Sequence, residues 1–257
     1  MAQNGVNFSI KLAETSAELR AAQRLRYRVF VTELGGGTDA VSTRLGVERD
    51  AFDPHFDHLI LCDNTLPEGD HVIGVYRLLR SDMAVNATGF YSADEFCLDK
   101  IAGSGRKSLE LGRSCVDARY RNGVAMYLLW QGLAEYVTTH EIEILFGVAS
   151  FHGTDPAAIA HALSFLHHTY LAVDDLRVSA YGTNAVPMDI LSAKATDRRA
   201  ALLQIPPLIK SYLRLGGMVG DGAYVDHAFN TIDVCLVMDT LRMSQKYKDF
   251  YTRPSAA

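Results

Sequence analysis

The chain has 257 residues, of which 48% are hydrophobic and 21% are charged. This composition is typical of a folded globular protein and excludes a mainly disordered, collagen-like or coiled-coil chain. Its 25 basic and 30 acidic residues give a net charge of −5, so no overall positive field attracts nucleic acid. A chain of this length can bury a core without disulfides or a structural metal.

The four cysteines indicate a reducing compartment, because they are widely spaced and form no C-x-x-C pair. The first ten residues, MAQNGVNFSI, lack the basic region and apolar stretch of a secretion signal. No apolar run approaches the roughly 18 residues that a membrane-spanning helix needs. We therefore expect a cytoplasmic protein, with membrane contact limited to peripheral binding at the inner face.

Strand and helix patterns alternate along the chain. Residues 7–13 are predicted as a strand and 15–33 as a helix that Thr15 or Ser16 caps. Residues 35–56 hold three consecutive glycines and no apolar periodicity, which indicates a functional or mobile connection and makes them a candidate lid. Further strands are predicted at 58–62, 72–79, 107–117, 142–149 and 231–237, and further helices at 123–138, 156–168 and 206–215.

Early strands followed by crossover helices favour an α/β fold with a mixed sheet. The pattern weakens after residue 175, where prolines and glycines become frequent. We therefore predict a core over 1–175 and a C-terminal extension over 176–257 that packs on it, or else one continuous domain.

Arginines stand at positions where the patterns require a core. Arg26 shares an arc of its predicted helix with Leu19, Ala22 and Val29, and Arg77 alternates in register with apolar strand residues. Both side chains are predicted to point inward. Burial of an unpaired ion costs roughly several kcal/mol, so each of the two arginines needs a partner.

The segment SLELGRSCV adds a further pair of charges, Glu110 and Arg113. In a regular strand they face opposite sides, whereas a bulge at Gly112 would bring them to one face. The nearest acidic residues are Asp50 and Asp53, in the glycine-rich connection.

Three arginines and three carboxylates could therefore neutralise one another. One interpretation is a structural ion-pair network, and the other is a polar pocket for a zwitterionic substrate.

Five stretches in order, RLRYRVF, DAFD, GVYRLLRSD, LELGRSCV and YLRLGGMVGDGAYVDHAFNTIDV, resemble known enzymes. The first four resemble the acyl-homoserine lactone synthases, and all five resemble the ornithine N-acyltransferases of ornithine-lipid synthesis. The resemblance implies a fold like that of the Gcn5-related N-acetyltransferases, with a largely antiparallel sheet and flanking helices. It also implies a (3-hydroxy)acyl donor carried as a thioester on acyl carrier protein, and no cofactor of the enzyme's own.

Carried over position by position, the lactone synthases' characteristic set matches seven residues here. A tryptophan of that set is replaced by Gly36, which counts against the S-adenosylmethionine-using branch and favours ornithine as the acceptor. The matched residues are Arg26, Phe30, Asp50, Asp53, Arg77, Glu110 and Arg113.

The acetyltransferases also carry a pyrophosphate-binding turn, to which Tyr120-Arg121-Asn122-Gly123-Val124-Ala125 aligns. Gly123 and a small last residue are kept, while the first basic position is a tyrosine. A helix N-terminus offers N–H groups to a phosphate. Since a carrier-bound phosphopantetheine has a single phosphate, this reduced turn suits a carrier donor, with Arg119, Arg121, Asn122 and Gly123 as candidate contacts.

Acyl transfer to ornithine requires an unprotonated α-amine, which is mostly protonated at neutral pH. We expect Glu110 to accept that proton, directly or through one water, or to anchor the ammonium instead. Arg26 or Arg77 could bind the ornithine carboxylate, and Asp50 or Asp53 its second ammonium.

The alternatives left open are another amino acid as acceptor, an acyl-homoserine lactone synthase, and a non-catalytic acyl-binding protein. The stretch ALLQIPPLIKSYLRL either packs on the core or rests on a membrane. An acidic carrier protein needs a basic docking patch. Candidate residues are Arg106, Lys107, Arg119 and Arg121, with Lys246 and Lys248 as a second cluster, and either cluster could instead be a solvated face. No histidine pair has zinc-site spacing, so we expect no metal.

Overall fold

The computed structural model describes residues 7–85, 89–121 and 123–242. The chain forms two compact units, each assembled from segments that are separate in sequence. Among the described residues, unit 1 comprises 7–79, 111–121 and 123–140, and unit 2 comprises 80–85, 89–110 and 141–242. The boundary predicted near residue 175 falls inside unit 2. Lys246 and Lys248 lie outside the described residues.

Strands and helices are numbered here in chain order. The strands are β1 (Phe8–Leu12), β2 (Asp57–Asp63), β3 (Val72–Arg80), β4 (Phe96–Cys97), β5 (Ser108–Val116), β6 (Ile144–His152), β7 (Ser179–Ala180), β8 (Ala185–Val186), β9 (Met218–Val219), β10 (Ala223–Asp226) and β11 (Thr231–Asp239). The α-helices are α1 (Ser16–Arg26), α2 (Ala40–Leu45), α3 (Ser81–Ala84), α4 (Asp99–Ala102), α5 (Val124–Thr139), α6 (Ala160–Tyr170), α7 (Arg198–Gln204) and α8 (Pro207–Arg214).

In unit 1, β2 lies between β1 and β3 and pairs antiparallel with both. Both faces of β2 are apolar because helices cover both. On one face, Ala22 and Leu25 of α1 pack with Ile60 in a buried cluster. On the other, α5 approaches so closely that a Cβ at Gly132 would collide with the side chain of Ile10. Unit 1 is therefore a three-layer arrangement of helix, sheet and helix.

The predicted first helix is present, but it changes from an α-helix to a π-helix along its length. Thr15 and Glu18 form a capping box at the start of α1, in which the Glu18 amide donates to the Thr15 hydroxyl at 3.2 Å. After Arg26 the helix continues as a π-helix over Tyr27–Glu33. The wider turn rotates the residues that follow, and Phe30 comes to pack against the apolar cluster of unit 1 while staying partly exposed.

The connection over 35–56 is more regular than its sequence predicts. It contains α2, which Asp39 caps at the start and Gly46 ends in the left-handed conformation, at φ +62°. A 3₁₀ turn at Asp53–His55 then leads into β2. Helix α2 was not predicted because six residues are too few to show helical periodicity, although the Asp and Gly cap signals were present.

In unit 2, β6 and β11 pair antiparallel from Ile144↔Asp239 to His152↔Thr231. The N-terminal end of β5, Ser108–Glu110, runs parallel to β6, while β10 pairs antiparallel with β11 and β8. Phe96, Phe146 and Val237 lie in the core of this unit.

The predicted strands and helices are all present within a few residues of their expected bounds, and the largely antiparallel pairing with flanking helices confirms the fold class. Helix α7 was not predicted, since its seven residues follow a pattern broken by prolines. In the described part of the chain, the helices fall short of the length and apolarity that crossing a bilayer demands.

Candidate active site

Six charged side chains of unit 1 meet between α1 and the sheet. Arg26 ends α1 four residues after the buried Ala22, so it faces the strands. Arg77 stands two residues after the buried Val75 in β3, so the two side chains share a face of the strand. The connection that follows α2 supplies the carboxylates. The members of this ion ring are Arg26, Glu48, Asp50, Asp53, Arg77 and Arg113.

The ring is closed, because each arginine contacts two carboxylates and each carboxylate contacts two arginines. Arg26 pairs with Glu48 at 2.5 Å and with Asp53 at 2.8 Å. Arg77 pairs with Asp53 at 2.9 Å and with Asp50 at 2.7 Å. Arg113 completes the circuit, 3.2 Å from Asp50 and 3.1 Å from Glu48. Three positive and three negative charges alternate, so the ring is neutral as a whole.

The carboxylates of the ring stay ionised despite their burial. Burial opposes the charge of Glu48, but Arg113 and Arg26 outweigh it and hold the pKa of the carboxyl below its usual range. The pKa of Asp50 is lowered against the same opposition by Arg77 and Arg113, and that of Asp53 by Arg26 and Arg77. The lowered pKa of each carboxyl therefore depends on two guanidinium groups.

Exposure divides the ring into an inner and an outer part. The side chains of Arg26, Arg77, Glu48 and Asp53 are at most 4% exposed, whereas Asp50 is 22% and Arg113 is 12% exposed. The expectation that Arg26 or Arg77 binds a substrate carboxylate stays a prediction, and both side chains are already paired with ring carboxylates. Asp50 and Arg113 are the ring members that solvent reaches.

Neighbouring groups hold the inner arginines further. The guanidinium carbon of Arg77 lies 4.4 Å from the ring centre of Phe56, and Gln23 donates to Asp53 at 2.9 Å. His58 lies 3.0 Å through Nε2 from the Asp53 carbonyl oxygen, and burial lowers the pKa of its imidazole. A neutral His58 can donate there without adding a charge to the ring.

The backbone of β5 is irregular at Arg113, whereas the sequence placed a possible bulge at Gly112. Arg113 has φ +49°, in the left-handed region that disfavours side chains, while Gly112 has no positive φ. A Cβ on Gly112 would meet the Arg77 Nε at 3.8 Å, an ordinary contact. The two ion pairs of Arg113 hold a conformation that its backbone alone disfavours.

Glu110 belongs to unit 2 and has partners of its own there. It is 1% exposed, and its Oε2 accepts from the Tyr91 amide at 2.9 Å. Its Oε1 accepts from the Ser92 amide at 2.6 Å and the Ser92 hydroxyl at 2.5 Å. These donors fix the orientation of the carboxylate. The third negative charge of the ring is therefore Glu48, where the sequence count had placed Glu110.

Sequence reasoning missed Glu48 and Ser92. Glu48 had a detectable signal, since it stands two residues before Asp50 in the same connection that supplies the other carboxylates. Ser92 had none, because it is an ordinary polar residue 18 positions before its partner Glu110.

The candidate donor segment is already paired within unit 1. Arg119 contacts Asp117 at 3.0 Å through its Nε, and Arg121 contacts Glu33 at 2.5 Å. Gly123 stands at the N-cap of α5 with φ +97°, which favours glycine. Asn122 lies outside the described residues. The basic patch expected from the sequence is thus a set of ion pairs.

Comparison with known proteins relates these residues to a family. A family model described as "Acetyltransferase (GNAT) domain" matches residues 25–131, a range that holds the ion ring and Glu110. A protein of Rhodobacter capsulatus named L-ornithine N(alpha)-acyltransferase is 53% identical over 255 residues, covering 98% of each chain. The chain belongs to the L-ornithine N(alpha)-acyltransferase family.

Another member of the L-ornithine N(alpha)-acyltransferase family, from Brucella abortus, is 43% identical and covers 95% of this chain and 89% of its own. Solved structures extend the likeness at the level of fold. FeeM, an N-acyl amino acid synthase from uncultured soil microbes, is 12% identical with a TM-score of 0.51 over 92% of this chain and 93% of its own. The CoA-dependent acyl-homoserine lactone synthase BjaI is 15% identical with the same score, over 95% and 88%. The expected acetyltransferase fold is confirmed.

Proposed function

We propose that this chain transfers a (3-hydroxy)acyl group from a thioester to the α-amine of ornithine, giving N-acyl-ornithine. The observation that carries the proposal is the 53% identity over nearly the whole chain to a relative named for that reaction. The amine nitrogen forms a bond to the thioester carbon, the carbon–sulfur bond breaks, and the ammonium proton leaves. The sulfur departs as a thiol. Because the amine attacks the thioester directly, no enzyme nucleophile is required.

The acyl donor in this proposal is acyl carrier protein, and the enzyme brings no cofactor or metal of its own. The kept Gly123 at the start of α5 and the reduced turn before it support a donor with a single phosphate. Purified protein should use an acyl chain on carrier protein with a higher kcat/KM than the same chain on coenzyme A. A preference for coenzyme A contradicts the donor assignment and leaves the acceptor assignment intact.

Carrier docking is assigned to Arg119 and Arg121, which would exchange their present partners for acidic residues of the carrier. Charge reversal at both should raise KM for acyl carrier more than KM for ornithine. Arg20 is an exposed residue of α1, and Arg20→Glu is the control. Equal kinetics in the reversed variant contradict this docking site.

Ornithine recognition is assigned to the exposed part of the ring. Arg113 suits the carboxylate of the amino acid and Asp50 suits the side-chain ammonium, since these are the ring members that solvent reaches. Replacement of Asp50 by Asn should raise KM for ornithine far more than KM for the donor. An unchanged KM for ornithine contradicts the assignment.

Glu110 is proposed as the group that receives the ammonium proton or anchors the ammonium. The described hydrogen bonds from Tyr91 and Ser92 hold its carboxylate in one orientation, as either role requires. Glu110→Gln should lower kcat by roughly 10²–10⁴-fold if the group is a base. It should raise KM for ornithine at nearly constant kcat if the group is an anchor. Thiol release at the wild-type rate contradicts both roles.

The acceptor is tested by release of carrier thiol on addition of single amino acids, and by mass spectrometry of lipids from cells that express the protein. Ornithine should give the fastest release, and an N-acyl-ornithine should accumulate. A faster reaction with another amino acid or with S-adenosylmethionine contradicts the acceptor. A cytoplasmic location is part of the proposal, and the four unpaired cysteines support it.

A further inference from the structure

One surface of unit 2 combines exposed leucines with exposed cations. Helix α7 turns Ala201 and Gln204 inward, where Ala201 is 0% exposed and Gln204 donates to the Ala158 carbonyl of a neighbouring turn at 3.0 Å. Its opposite side carries residues three and four apart, which share one face of a helix. These outward residues are Arg198, Arg199, Leu202 and Leu203, and the exposed Lys194 precedes them.

The apolar part of this face is not covered. Leu203 is 77% exposed and Leu202 is 39% exposed, although the neighbouring Ala201 of the same short helix is buried. Helix α8 behaves in the ordinary way, because it buries Ile209 and Tyr212 and exposes Arg214. The stretch singled out from the sequence therefore packs on the core through α8 and leaves α7 outward.

The cations of the face outnumber the acidic group beside them. The Asp197 carboxylate interacts electrostatically with Arg199, which leaves Lys194 and Arg198 in excess. The adjacent Asp197 is engaged as the N-cap, where it accepts from the Arg199 and Ala200 amides at 2.8 and 3.2 Å. By contrast, Arg119 in unit 1 is paired with a carboxylate. A local positive charge thus persists on a chain whose net charge is −5.

We infer that the outward face of α7, formed by Lys194, Arg198, Arg199, Leu202 and Leu203, binds the surface of a bilayer that contains anionic lipid. Leucines that enter the headgroup boundary and cations that meet acidic headgroups are the two contributions that hold a peripheral helix on a membrane. The face offers both side by side, and its charges complement that surface. An N-acylated ornithine, if the proposed function holds, is an amphiphile that partitions into lipid, so binding to a bilayer suits an enzyme that makes it.

The experiment is sedimentation of the full-length protein with phosphatidylglycerol vesicles and with phosphatidylcholine vesicles, across a series of salt concentrations. The wild type should bind the phosphatidylglycerol vesicles more tightly, and added salt should weaken that binding. Arg198→Gln with Arg199→Gln should weaken it by about fivefold for each charge removed. Leu202→Gln with Leu203→Gln should weaken it by about tenfold or more.

Matched controls lie elsewhere on the surface. Arg20→Gln removes an exposed cation of α1, and Val85→Gln removes an apolar side chain that is 85% exposed. Neither should change vesicle binding. Since the α7 substitutions are at exposed positions, the circular dichroism and melting temperature of those variants should match the wild type.

The proposal is overturned if the wild type does not bind phosphatidylglycerol vesicles, or if both α7 variants bind them as well as the wild type does. It is also overturned if the α7 variants raise KM for acyl carrier without changing vesicle binding, since the face would then be a carrier dock. Vesicle binding requires no turnover, so failure of the ornithine assay leaves this result standing, and the reverse also holds.

Discussion

Replacement of Glu48 by Gln tests the closed ion ring directly. Glutamine keeps the volume of the side chain and removes its charge. The ring then holds three arginines and two carboxylates, and both Arg26 and Arg113 lose a partner. The amide nitrogen of the new side chain is a donor and cannot replace the lost carboxylate oxygen toward a guanidinium.

The expected loss follows from burial. Glu48 is 4% exposed and Arg26 is 0% exposed, so water cannot replace the missing charge at that contact. Removal of one partner from a buried ion pair costs about 3–5 kcal/mol, and the upper part of that range applies here because two pairs are broken. Asp50→Asn also breaks two pairs, but Asp50 is 22% exposed and solvent compensates part of the charge, so its loss should be smaller.

The free energy of unfolding is measured in urea by fluorescence of the single tryptophan, Trp130, which is 6% exposed in unit 1. Glu135→Gln, an exposed substitution on α5, is the matched control and should change the free energy by less than about 0.5 kcal/mol. A loss below about 1 kcal/mol for Glu48→Gln, at an unchanged denaturant slope, would refute the argument that the ring depends on each of its members.

Three further outcomes are expected. The pKa values of the ring carboxyls are lowered in the folded state, so their contribution to stability is complete above the unfolded values near pH 4 and is lost as pH falls through the folded values. The melting temperature should therefore fall steeply below pH 4. A smaller fall for the wild type than for Glu48→Gln would contradict this. Burial raises the pKa of the Cys115 thiol to about 12, whereas Cys97 is exposed, so native protein at pH 8 should be alkylated at Cys97 and at Cys115 only in denaturant, as mass spectrometry would report. Gly132→Ala should lower the free energy of unfolding by about 1–3 kcal/mol because its methyl group collides with a β1 side chain. Gly112→Ala should leave the free energy of unfolding unchanged or slightly higher. Equal effects would contradict the close approach of α5.

Local patterns were enough for the elements and for part of the site. The alternation along β3 placed Arg77 among apolar residues, and the helical arc of α1 placed Arg26 inward, and both are fully buried. Recognition of short ordered motifs supplied the family, which physical reasoning from single residues could not have reached. The same patterns gave no indication that α7 forms a helix, because a seven-residue segment between prolines carries too little periodicity.

The burial of the arginines and their need for carboxylates could be predicted from local patterns, because apolar periodicity is a local property and the cost of an unpaired buried ion is general. Which carboxylates they meet depends on the folded chain. Glu48 lies 22 residues from Arg26 and 65 from Arg113, and the contact depends on how the chain after α2 returns to the sheet. The same reason holds for Glu110, whose partners Tyr91 and Ser92 are brought to it by folding of unit 2. Pairing between distant charges is set by the path of the backbone, which no local pattern records.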